Sequence, residues 1–70
     1  MGYKATDTCL QKVGDDEPIF VLRAQDALAA SLVRRWATLA QEHGAGPAKV
    51  AEAQALADLM DAWPTKKFPD

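Results

Sequence analysis

Apolar positions along the chain change character three times. From residue 1 to 17 they are scattered among polar ones, and the stretch closes on Gly14-Asp15-Asp16-Glu17-Pro18, a dense turn signal. Residues 1–17 therefore read as an arm or loop. Leu10 and Val13 mark one or two helical turns between Thr6 and Val13, too short to stand without tertiary support. Ile19-Phe20-Val21-Leu22 is a continuous β-branched and aromatic run, which predicts a strand or extended segment over 19–25. A helix begun by Asp16 with Pro18 near its first position competes with that reading. The extended form is preferred because Ile-Phe-Val is a poor helix run and Asp26 offers a fresh N-cap. A lone strand cannot satisfy its own backbone, so its partner is either the arm or the same strand of a second copy.

The pattern then shifts to helical periods. Leu28, Leu32, Val33, Trp36, Leu39 and Ala40 recur at spacings of three, four and seven, which predicts a helix over 26–43 closed by Gly44. Gly46-Pro47 opens a second helix over 47–63, with Val50, Ala53, Leu56, Ala57, Leu59, Met60 and Trp63 as its apolar stripe. Pro64 ends it, because the residue before a proline is pushed out of helical dihedrals. Residues 64–70 form a basic, aromatic tail without periodicity. The connection at residues 44–46 is so short that the helices must form an αα-hairpin. The expected fold is a single mainly α domain: arm, short strand, helical hairpin. Leu32, Trp36, Leu39, Val50, Ala53, Ala57 and Met60 are the core candidates, buried within or between chains.

Composition changes this picture in one respect. Of 70 residues, 49% are hydrophobic, but alanine supplies 14 of those 34 and buries little area. A chain this small usually needs a disulfide, a metal or a partner. One cysteine, Cys9, excludes an internal disulfide, and one histidine, His43, argues against a metal cage. Self-association is what remains, so the chain is expected to be a homo-oligomer. The absence of an apolar h-region in the first thirteen residues predicts cytoplasmic residence, and no run approaches the ~18 apolar residues of a membrane span.

Candidate chemistry is sparse. Cys9 and His43 lie 34 positions apart with no nucleophile signature around them. Asp15-Asp16-Glu17 lacks the spacing of a calcium loop, and Asp58 and Asp61 read as a wet helix face. No metal, cofactor or enzymatic activity is expected. A helix-turn-helix DNA reader is a weak alternative. The net charge is −2, and the second helix offers Lys49 against Glu52, Asp58 and Asp61, a poor match to phosphates. The strongest group is Arg23, Arg34 and Arg35 with Trp36, where guanidinium forks grip an anion and an indole stacks on a base. Lys66 and Lys67 join it as further cations. Trp63, Lys66, Lys67 and Phe68 form a second group, an aromatic and basic anchor for a protein partner.

The strings Asp16-Glu17-Pro18-Ile19-Phe20-Val21-Leu22-Arg23-Ala24-Gln25-Asp26, Val33-Arg34-Arg35-Trp36-Ala37 and Met60-Asp61-Ala62-Trp63-Pro64-Thr65-Lys66-Lys67-Phe68-Pro69-Asp70 resemble a family of small bacteriophage and prophage proteins. The resemblance spans about residues 7–70. Relatives often carry Ala-Pro where this chain has Ala29-Ala30, which implies a helix start there. The family context implies a small accessory protein in an infected bacterial host, acting by binding. The primary expectation is inhibition of a host or anti-phage defence protein by direct contact. The alternative is an oligomeric sponge for an anionic small molecule such as a nucleotide signal.

Overall fold

The computed structural model describes residues 2–69. Its elements are α1 (Thr8–Gln11), α2 (Ala29–Glu42) and α3 (Pro47–Ala62). The Asp7 side chain caps α1, accepting the backbone N–H groups of Cys9 at 2.9 Å and Leu10 at 3.3 Å.

α2 begins at Ala29, three residues later than the spacing of Leu28 and Asp26 predicts. Asp26 is used otherwise. Its Oδ1 accepts the N–H of Leu28 at 2.8 Å, and its carbonyl accepts the N–H of Ala29 at 3.1 Å, closing a turn ahead of the helix. At the far end the N–H of Ala45 reaches the Ala40 carbonyl and that of Gly44 reaches the Gln41 carbonyl, both orphaned by the helix end. This paired closure needs a residue at positive φ, and Gly44 sits at φ 86°. Pro47 at the first turn of α3 then has its fixed φ where a helix can use it and no N–H to leave unpaired.

α2 and α3 pack side by side through small residues. Ala29, Ala30, Ala57 and Met60 form one buried cluster, and Ala37, Val50 and Ala53 form another, with Val33 touching both. The expected burial of Leu32, Trp36 and Leu39 in this contact is corrected: they are 46%, 46% and 47% exposed. The reason is geometric. Ala29, Val33 and Ala37 lie four apart on one face, and the Leu28–Leu32–Trp36 stripe lies one residue, about 100°, around the helix from it. Small side chains win the contact because they let the helices approach closely.

The strand or extended segment expected over 19–25 is not shown as a strand within the single chain, and no helix takes its place. Among the described residues no strand forms, and β-pairing is limited to one isolated parallel bridge between Asp26 and Lys67. There the Lys67 N–H donates to the Gln25 carbonyl at 2.8 Å and the Ala27 N–H to the Lys67 carbonyl at 2.9 Å. The residues before it nonetheless alternate as a strand would. Leu22 and Ala24 pack against the first core cluster, while Val21, Arg23 and Gln25 share a surface with the tail. Among the described residues no helix is long and apolar enough to cross a membrane.

Candidate ligand groove

α3 carries apolar residues on two sides. One side meets α2; Leu59 lies outside that contact and, with Leu56 and Met60, which also belong to the core beside α2, forms the floor of a groove that Trp63 continues past the helix end. The wall opposite is the segment 22–25, and residues 2–4 complete the rim. The groove has a volume of about 660 Å³ and is open to solvent, within the size range of small-molecule sites. Tyr3 and Trp63 bring aromatic faces to it, and Lys4 and Arg23 bring positive charge. Among the described residues no Asp or Glu lines it, although the chain has ten of them. An anion with an aromatic or apolar body meets both kinds of complementary surface here.

Lys66 holds wall and floor together. Its Nζ donates to the Ala24 carbonyl at 3.0 Å and also to the Met60 carbonyl, which accepts the Trp63 N–H at 3.2 Å as well. The tail after Pro64 thus folds back on its own chain, and the ammonium expected to meet a ligand or partner is engaged with two backbone oxygens. Lys67 anchors the wall through its backbone. It shares a second, smaller hollow of about 140 Å³ with Val21, Arg23, Gln25, Asp26, Phe68 and Pro69. Arg23 alone among the expected residues lines both hollows.

The arginine group of the sequence is dispersed. Arg34 crosses from α2 to α3, where its Nη2 lies 2.8 Å from Asp58 Oδ1 and 2.6 Å from Asp61 Oδ2. Hydrogen bonding to Asp58, and next to Asp61, holds this guanidinium above its ordinary pKa, so its charge is already answered. Arg35 and Trp36 line neither hollow. Of the expected site residues, Arg23 and Trp63 meet in the groove, Lys66 supports it from behind, and Lys67 and Phe68 stand at the neighbouring hollow. Tyr3 and Lys4 were not anticipated. Their only sequence signal is an aromatic beside a cation in an otherwise polar arm.

The free thiol of Cys9 is exposed, and among the described residues no cluster of His, Cys, Asp and Glu has the arrangement of a metal site. Comparison with protein-family models, curated proteins and solved structures gives no match.

Proposed function

We propose that the chain is a non-enzymatic binding protein that sequesters an anionic small molecule with a flat or apolar body, of which a nucleotide signal is the nearest chemical type. The observation that carries this reading is the groove: two cations, two aromatic side chains and an aliphatic floor, with no carboxylate among its described lining residues. The phage setting, and with it the cytoplasm of an infected host, rests on the sequence resemblance alone. Arg34 and Arg35 drop out of the ligand set, and Lys4 and Tyr3 enter it. DNA reading by α3 is disfavoured further, since Asp58 and Asp61 lie on the helix that would have to enter the groove of the duplex.

A second reading, inhibition of a host or defence protein by direct contact, is favoured by a separate observation. Val21 and Phe68 stand largely exposed at the smaller hollow, and Ile19 and Phe20 are exposed just ahead of Val21 in the chain. Aromatic and aliphatic anchors of this kind dominate protein interfaces.

Thermal denaturation and calorimetry against mono-, di- and cyclic nucleotides separate the two. Saturating ligand at a hundredfold excess over Kd stabilises by about 2.7 kcal/mol, a readily measured rise in Tm. Lys4→Glu with Arg23→Glu is expected to remove that rise while leaving helicity intact. No response to any nucleotide, from a wild-type protein that melts cooperatively, rejects sequestration and leaves the protein-partner reading.

A further inference from the structure

We infer that Ile19–Val21 is an interaction surface for a second copy of this chain, the two copies pairing as antiparallel strands about a two-fold axis at Phe20. This goes beyond the ligand reading and does not depend on it. The starting observation is an accounting of backbone groups. Among the described residues, neither the N–H nor the C=O of Ile19, Phe20, Val21 or Leu22 has a hydrogen-bond partner. Glu17 N–H, by contrast, donates to Gly14 O, and Arg23 O accepts from Asp26 N–H. The unpaired run is therefore bounded at both ends by paired residues. Leu22 packs against the core, but the three side chains before it stand largely exposed: Ile19 at 54%, Phe20 at 85% and Val21 at 68%. An apolar run with a free edge is a template for another strand.

A second copy fits this edge better than an unrelated strand because the run is close to self-complementary when reversed. Centred on Phe20, the order Glu17-Pro18-Ile19-Phe20-Val21-Leu22-Arg23 places Ile19 opposite the other copy's Val21 and Pro18 opposite its Leu22. Glu17 then falls opposite Arg23, so each end of the ribbon matches opposite charges. With five donors on its fork, Arg23 at the junction of the two hollows can serve that carboxylate and still face the groove.

Pro18 fixes the phase. It has no N–H, so residues of its parity must point away from the partner. Ile19 and Val21 then exchange both backbone bonds with their opposites, four bonds in all by symmetry. Phe20 faces its own copy in the close, non-bonded position, with Cα atoms about 4.5 Å apart.

That geometry makes the register testable by cysteine placement, in a Cys9→Ser background because Cys9 is an exposed thiol. Two cysteines at position 20 fall within disulfide reach. Two at position 21 stand about 8 Å apart, two residues out of step, beyond it. Under a glutathione redox buffer, Phe20→Cys is expected to become mainly covalent dimer and Val21→Cys to stay monomeric on denaturing gels. In sedimentation equilibrium the wild-type mass is expected to rise with concentration from 7.6 kDa towards twice that. Val21→Pro, which removes two of the four bonds at a residue whose backbone makes no hydrogen bond within the chain, is expected to lose this rise with unchanged far-ultraviolet circular dichroism. The proposal is overturned by a wild type that stays at single mass up to millimolar concentration, by cross-linking at position 21 in place of 20, or by Val21→Pro assembling as the wild type does.

Discussion

α3 makes two contacts within the chain, and they are built by opposite means. Towards α2 it offers chiefly Val50, Ala53 and Ala57, short buried side chains that bring the backbones together, with Met60 shared between the two contacts. Towards the segment 22–25 it offers Leu56, Leu59 and Met60, and the two sides are tied by one long lysine and a pair of backbone bonds to the tail, with a groove left open between. Placing methyl groups on one face of a helix frees the larger residues for the other. A chain with few large side chains thereby obtains both a fixed scaffold and a concave surface. The scaffold is dense in contacts, while the wall has few, so local opening is expected to start at the wall.

The difference between the two contacts can be broken first at the dense one. Ala53→Leu adds bulk at a fully buried position against Ala37 and Val50, which is expected to cost about 1–3 kcal/mol. For a domain of this size that lowers Tm by on the order of 10 °C. A thermal melt unchanged by this substitution would show that α2 and α3 do not meet at Ala53.

At the open contact, Lys66→Met keeps the aliphatic stem and removes the ammonium from the carbonyls of Ala24 and Met60. The expected loss is roughly 1–2 kcal/mol, and it should be local. Amide hydrogen exchange at Ala27 and Lys67 is expected to speed up while protection in the middle of α2 and α3 persists. Lys66→Arg should restore part of it. Uniform loss of protection across both helices would mean that wall and scaffold form one cooperative unit.

The smallest effect lies outside both contacts. Asp7 is held below its ordinary pKa of 3.8 by the N–H of Leu10 and, after the opposing cost of desolvation, by that of Cys9. A carboxylate with a depressed pKa contributes stability that is present above pH 3.8 and lost as the pH falls through the lower, folded value. α1 is therefore expected to unwind on strong acidification before α2 and α3 respond, seen as movement of the Cys9 and Leu10 amide resonances. Asp7→Ala should reproduce that movement at neutral pH. If acid moved the α2 and α3 resonances first, the cap would not be what holds α1.

What could be read from the sequence follows the range of the forces involved. Gly44 at the end of α2 and Pro47 at the start of α3 act on their immediate neighbours, and such signals survive in a linear string. The start of α2 depends on Lys67, forty-one residues from Asp26, whose backbone draws Gln25 and Ala27 into a bridge. Local capping preference, which favours Asp26, therefore misses the observed start at Ala29. The apolar period showed that α2 has a face but not which of two adjoining stripes would meet α3. Counting large residues favoured Leu32 and Trp36, whereas close helix approach favours Ala29, Val33 and Ala37.

The site was legible only in part for a similar reason. Arg23 and Trp63 are anchored to the wall and the end of α3, while Lys66 serves as a strap because two carbonyls happen to converge behind the groove. Arg34 looked available for an anion until Asp58 and Asp61 came within reach across the hairpin.

The seam of alanines also limits how this molecule can transmit a signal. Most of the buried seam has no rotamers, and Val33, Val50 and Met60 are the few members that could repack, so the two helices have few alternative interdigitations to adopt. The hairpin behaves as a stiff plate with little lever action of its own. Whatever ligand or neighbour reaches one edge of it, news of that arrival travels chiefly by way of the tethered strap and the chain it holds.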